Sequence, residues 1–300
     1  MIQLTNDFKN KVIAGLLTLR ENYQGPDGSF AKTLEIHNSV WSRLKNGERE
    51  GLLKDSQWIN LGRELNISAK DKEWKFVRTE VFNHIEEEVL FCKENSKSMI
   101  LVDDADIGKT VAGKYLSKTL KNCFFISACQ TKTKQQFIRT LAKTIGVDGT
   151  GKYVQVKANI KYCLKSVMDS PIIIIDEAGD LEYPAFLELK ELWNATEGCC
   201  GWYMMGADGL EEKMKRGIAS KKVGYREIFR RYSNKFSKVV PFDKLEKKAF
   251  YEKLISDVVN ANIKDKSQVK NIVRRCLTMD DNGNIGGLSR ADSLLILNQQ

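Results

Sequence analysis

Fourteen residues, MILVDDADIGKTVA over 99–112, restrict the fold of this chain more than any other stretch. Met99, Ile100, Leu101 and Val102 form a short apolar run that reads as a buried strand. A turn leads to Gly108-Lys109-Thr110, and Val111, Ala112, Tyr115 and Leu116 then follow at the spacing of one helix face. Strand, loop, Gly-Lys-Thr and helix is the layout of a phosphate-binding loop. Backbone N–H groups at a helix N-terminus attract phosphate oxygens. Lys109 would reach the β- and γ-phosphates and Thr110 would hold Mg²⁺. The nucleotide contacts would run through Asp106, Ile107, Gly108, Lys109, Thr110 and Val111. The motif departs from its pattern at Asp103, where glycine is usual, and Asp104 and Asp106 add two more acids. Like charges 4 Å apart repel by roughly 1 kcal/mol in water and about 4 kcal/mol at an intermediate dielectric. These carboxylates must therefore point outward if the backbone is to hold phosphate; otherwise the stretch is an ordinary strand-turn-helix corner.

A second signal is residues 171–177, Pro-Ile-Ile-Ile-Ile-Asp-Glu. Four isoleucines suit a strand buried on both faces, as in a parallel sheet. In an ATPase with such a loop, Asp176 would hold Mg²⁺ and Glu177 would orient the attacking water. Another strand is expected between the two motifs, over 123–128 (CFFISA), ending in the polar segment Gln130 to Lys134. Ligand contacts in α/β proteins gather at such strand ends. Further strands are expected over 201–206 and 238–242. Helices are expected over 79–92, 153–168, around Phe137, Leu141 and Ile145, around Phe186, Leu189 and Leu192, and again from 243 onward.

Residues 1–68 read as a separate helical domain. Phe8, Val12, Leu16 and Leu17 fit a first helix, and Ser29 is placed to cap one carrying Phe30, Ala31 and Leu34. A break at His37-Asn38-Ser39 precedes a short helix ended by Gly47. Two short helices joined by a break form a helix-turn-helix pattern. Its second helix would offer Asn38, Ser39, Ser42, Arg43 and Lys45 to DNA, or the unit docks protein. Glu35 stands where the turn usually has glycine. Residues 69–78 are charged and read as a connector.

Composition excludes several classes. The 300 residues allow two or three domains, and no apolar run approaches the ~20 residues of a membrane span. Seven cysteines without CxxC spacing and a start lacking a signal-peptide core point to free thiols in the cytoplasm. Two histidines make a zinc site an unpromising reading. The net charge of +9 suits an acidic partner. Ten basic residues and one acid, Glu227, lie between Lys213 and Lys238, either as solvated surface or as phosphate contacts. Near the end, Gly286-Gly287 precedes Arg290, which would face a bound phosphate or simply the solvent.

The order of these parts over 75–300 resembles an AAA+ ATPase, an α/β P-loop fold with a parallel sheet between helices and a C-terminal helical lid. With the N-terminal helix-turn-helix, the chain resembles the phage Mu B (MuB) family of transposition target-DNA activators, related to TnsC-type and IstB-type ATPases. The resemblance implies domains at 1–68, 69–242 and 243–300. It also implies ATP and Mg²⁺ as cofactors, and double-stranded DNA, further copies of the chain in a helical filament and a transposase as partners. It makes Arg290 the lid arginine (sensor 2). It makes Arg230 or Arg231 the arginine finger supplied to the next subunit. Sensor 1 falls on Ala207 or Asp208, and Thr131, Lys132 and Lys134 would touch the DNA backbone. Slow, oligomer-dependent ATP hydrolysis is implied, in a bacterial cell, from a transposable phage or other mobile element. A replication-type helicase loader and a DNA-binding regulator with an inactive nucleotide fold are the alternatives.

Overall fold

The computed structural model describes residues 4–65, 67, 74–278 and 285–297. Four helices come first: α1 (Asn6–Glu21), α2 (Asp27–Thr33), α3 (Asn38–Lys45) and α4 (Asp55–Glu64). After α5 (Glu80–Asn95), strands and helices alternate as β1 (Ser98–Val102), α6 (Lys109–Thr119), β2 (Cys123–Ser127), α7 (Lys134–Thr144), α8 (Tyr153–Tyr162), β3 (Ile172–Asp176), α9 (Tyr183–Ala195), β4 (Gly201–Gly206), α10 (Asp208–Ala219), α11 (Tyr225–Arg231) and β5 (Phe236–Ser237). Helices α12 (Lys244–Asn262), α13 (Val269–Cys276) and α14 (Leu288–Leu297) follow. The boundary expected at 68/69 lies outside the described residues.

The five strands form one parallel sheet in the order β2-β3-β4-β1-β5. Its helices cover both faces, as parallel crossovers require. Alternation along β3 divides its isoleucines between two cores. Ile173 and Ile175 pack with Phe137, Leu141, Phe186 and Trp202 on one face. Ile172 and Ile174 pack with Phe82, Val89, Leu116 and Tyr203 on the other, where α12, α13 and α14 also bury their apolar sides. The loops after β1 and β3 therefore open at the same edge, with β4 between them.

The last strand differs from the expectation. Phe236 and Ser237 pair with Ile100 and Leu101 of β1, and the apolar stretch beginning at 238 makes no ladder. The reason is a competing acceptor: the N–H groups of Val239 and Val240 donate to the Asp103 carboxylate.

Helices α1 to α4 share a continuous core with α7, α8 and α9. The Tyr23 hydroxyl donates to Ile145 O at 3.1 Å, Asn122 N donates to Asn22 O at 3.0 Å and Lys118 Nζ donates to Leu65 O at 2.7 Å. The start of α2 is set by Pro26, not Ser29. Asp27, in its first turn, is held down to about pKa 2 by hydrogen bonds from Lys45 and Arg20. Between α2 and α3, Glu35 takes φ +54°, a left-handed position that makes the tight turn without glycine. Trp41 and Leu44 of α3 are buried, whereas Asn38, Ser39, Ser42, Arg43 and Lys45 are exposed.

Beneath β5 lies a polar cluster. His84 Nε2 is 2.8 Å from Ser237 Oγ and 3.2 Å from Glu88 Oε1, and the Tyr203 hydroxyl donates to Glu88 Oε2 at 2.6 Å. The Glu88 hydrogen bond raises the His84 pKa above its ordinary 6.5 against the effect of burial. Burial pushes Glu88 up, yet hydrogen bonds from His84, Ser237 and Tyr203 outweigh it and hold Glu88 below 4.5. The His84 contribution to stability is complete below pH 6.5 and is lost as pH rises through the higher folded value. The Glu88 contribution is present above pH 4.5 and is lost as pH falls through the lower one. The pair stabilises most between those two limits, so His84→Gln should lower the melting temperature more at pH 5.5 than at pH 8.5. Equal losses at both pH values would refute this.

Candidate nucleotide site

The loop between β1 and α6 turns on two left-handed residues, Asp106 at φ +61° and Gly108 at φ +97°. Glycine carries the second without a Cβ penalty and starts α6. Lys109 is buried, and its Nζ folds back into the loop, donating to Asp103 O at 2.9 Å and to Asp104 O. Burial pulls its ammonium pKa down, against the carboxylates of Asp103, Asp176, Asp104 and Asp208. An ammonium held by two carbonyls is ready to exchange them for phosphate oxygens.

Across β4, the Thr110 hydroxyl donates to Asp176 Oδ2 at 2.6 Å. Asp176 is buried, and burial pushes its carboxyl pKa up against that hydrogen bond. Mg²⁺ takes one or two protein ligands and completes its octahedron with phosphate oxygens and water. Thr110 and Asp176 fit that role, although no larger cluster of His, Cys, Asp and Glu exists among the described residues. Glu177 follows at φ +52°, its N–H donating to Asp176 Oδ1 at 3.0 Å. Its Oε2 accepts from Ser127 Oγ at 3.3 Å, so β2 positions the carboxylate.

Two of the three loop acids, Asp103 and Asp104, point away from the cleft, whereas Asp106 lines it with its carboxylate engaged by Ser289. Asp103 is only 4% exposed; it accepts from Val239 N at 2.5 Å, Val240 N at 3.0 Å and Asp104 N at 2.8 Å. Asp104 takes the Tyr251 hydroxyl and Lys247, and Asp106 takes Ser289. The departure from the motif at Asp103 is thus a structural joint, with its charge turned to the backbone after β5. Asp103→Gly would perfect the motif yet remove the acceptor of three backbone donors, two of them, Val239 N and Val240 N, held from across the fold. Hydrogen bonds to a charged group contribute about 1.5–3 kcal/mol each, so the loss should be about 3 kcal/mol. The melting temperature should fall by roughly 6–9 °C; an unchanged value in thermal unfolding would contradict this account of Asp103.

A cavity of about 730 Å³ spans these groups, a volume suited to a small-molecule ligand. Asp106, Ile107, Gly108, Lys109, Thr110, Val111, Asp176 and Glu177 line one end. Trp74, Phe76, Val77, Thr79 and Phe82 line another wall, and Val258, Leu288, Ser289, Asp292 and Ser293 a third. Phe76 stacks on Tyr115 with ring centroids 3.9 Å apart, which fixes the aromatic wall to α6. The sequence reading missed this wall because Trp74 and Phe76 sit among charged residues; their alternate spacing was the available signal.

Other expected positions fall elsewhere. Arg290 is not a cavity residue: its Nη1 donates to Thr278 O at 2.8 Å, and helix geometry puts Ser289, Asp292 and Ser293 on the cleft face instead. Ala207 lines the cavity, whereas Asp208 opens α10. Arg230 is exposed. The Arg231 guanidinium lies 4.9 Å from the Trp193 ring centroid, and its Nε and Nη1 find no hydrogen-bond partner among the described residues. Thr131 is 5% exposed with its hydroxyl donating to Ser127 O, so it serves its own turn and offers no surface for DNA. Lys132 pairs with Asp180 at 3.3 Å and Lys134 with Glu188 at 2.9 Å. Arg43 and Lys45 pair with Glu48 and Asp27.

No helix among the described residues is long and apolar enough to cross a membrane. No curated protein was found to match the chain. Residues 92–214 match the AAA domain family, a span that takes in β1 to β4, the Lys109 loop and the Asp176-Glu177 pair. The chain therefore carries an AAA+ ATPase domain.

Proposed function

We propose that this protein is an ATP-dependent DNA-binding AAA+ ATPase that assembles on duplex DNA and recruits or stimulates a transposase. The observation that carries the nucleotide half is the joint placement of Lys109, Thr110, Asp176 and Glu177 around one cavity. The outward turn of Asp103 and Asp104, with the Asp106 carboxylate occupied by Ser289, weighs against an inactive nucleotide fold. In this reading Lys109 and the loop N–H groups hold the phosphates, and Thr110 and Asp176 hold Mg²⁺, which supplies charge neutralisation at the transferred phosphate. Glu177, held by Ser127, orients the attacking water.

The DNA half is supported by the α2–α3 pair. Its turn closes through Glu35, and Asn38, Ser39, Ser42, Arg43 and Lys45 share the exposed side of α3. Arg43 and Lys45 are free to trade surface ion pairs for phosphates because exposed pairs contribute little, roughly 0–1 kcal/mol. Lys132 and Lys134 are half-exposed and able to make the same exchange. Such contacts would carry little sequence preference and strong salt dependence. Arg230 is the better candidate for a finger reaching the next subunit, since Arg231 is held on Trp193.

Negative-stain microscopy on plasmid DNA tests the proposal. Filaments should form with ATP and Mg²⁺ and be absent without nucleotide. Discrete particles under both conditions would refute assembly on DNA, and measurable turnover would then favour the loader reading. Recovery of a transposase with the filament tests the remaining part.

A further inference from the structure

The three acids of the loop join it to three successive parts of the C-terminal region. Asp103 holds Val239 and Val240, directly after β5. Asp104 Oδ2 accepts from the Tyr251 hydroxyl at 2.9 Å and lies 2.6 Å from Lys247 Nζ, both on α12. Asp106 accepts from Ser289 N at 3.0 and 2.9 Å and from Ser289 Oγ at 2.5 Å, and its carbonyl accepts from Leu288 N at 3.0 Å. Asp106 thus caps α14 from another part of the chain. The approach is close: a Cβ on Gly287 would lie 2.5 Å from Asp106 Oδ2. From α14 itself, Arg290 reaches away to Thr278.

We propose that these carboxylates couple the phosphate loop to the C-terminal helices, so that nucleotide binding tightens α12 and α14 without any cation of α14 touching phosphate. The inference rests on the nucleotide reading of the cleft. Phosphate is held by N–H groups of the same short backbone that carries the acids, so a shift in the loop of about 1 Å must move the helices or break charge-assisted bonds. Electrostatics gives the direction. The joined arrangement brings Lys247 and the positive N-terminal end of α14 toward the loop, and an arriving polyphosphate favours both. By linkage, helices held in that arrangement favour the nucleotide equally.

Hydrogen exchange on the full chain, with and without ATP and Mg²⁺, tests this. The decisive variant is Lys247→Met/Tyr251→Phe/Gly287→Ala, which breaks the joint from the side of the helices. In the wild type, ATP should slow exchange in the first turns of α12 and α14 by about tenfold. In the variant, the loop amides over 104–110 should keep their ATP-induced protection, while slowing in the two helices falls below about twofold. Should the triple variant fail to fold, Tyr251→Phe alone, which removes one hydroxyl, should give an intermediate loss at α12. Full slowing in either folded variant would overturn the coupling, as would wild-type helices indifferent to a nucleotide that protects the loop. If ATP leaves the wild-type loop itself unprotected, the nucleotide reading is what fails, and the coupling falls with it.

Discussion

Glu177→Gln is expected to leave ATP binding intact and to lower turnover about 10³-fold. The carboxylate stands at the exit of β3, beside the Asp176 that would hold Mg²⁺, and accepts a hydrogen bond from Ser127. Glutamine keeps the shape and a carbonyl for Ser127, so positioning survives. It cannot take a proton from water or favour the developing hydroxide. The loss should therefore appear in kcat, with nucleotide affinity changed by less than about threefold, the pattern of a group that acts only in the transition state. Under the proposed function, in which hydrolysis releases the protein, DNA assemblies formed by this variant should persist. A variant that turns over ATP normally would remove Glu177 from the mechanism.

If Arg230 serves the next subunit as proposed, Arg230→Ala should be nearly as damaging, about 10³-fold in turnover, but only in the assembled state. An arginine supplied by a neighbour stabilises charge that develops on the transferred phosphate, so isolated subunits already lack it. Turnover of the wild type should consequently rise with protein concentration and with DNA, and the variant should lose that rise. Arg231→Ala should behave differently. Its guanidinium covers Trp193, whose Nε1 donates to Ser98 Oγ at 2.7 Å at the start of β1. Removing it should lower thermal stability before it affects turnover. If Arg231→Ala abolishes turnover while Arg230→Ala does not, the assignment is reversed.

The parts of the fold legible in the sequence were those whose residues answer to one constraint. β1, β3 and β4 are buried on both faces, so an unbroken apolar run marks each. Lys109, Thr110 and Asp176 follow two strands whose ends the sequence marks, and the structure brings them to one cavity as that spacing leads one to expect. β5 was misplaced because its apolar continuation donates to a distant carboxylate, Asp103, instead of a strand. Asp103 itself looked like a defect, since only the three-dimensional neighbourhood reveals the donors it serves. Glu35 raised the same doubt about the first turn, yet a left-handed glutamate makes it. Arg290 and Ser289 differ by one position along α14, about 100° around the helix, enough to send one to Thr278 and the other to the cleft. Thr131 followed a strand as a contact residue should, but its burial is set by a local hydrogen bond that spacing does not reveal.

The most direct test is a calorimetric titration of ATP with Mg²⁺ into the wild-type protein and into Lys109→Ala. The account predicts one site per chain in the wild type and a loss of at least about 100-fold in affinity in the variant, roughly 2.7 kcal/mol. Binding of equal strength in both proteins, or none in the wild type, would contradict it.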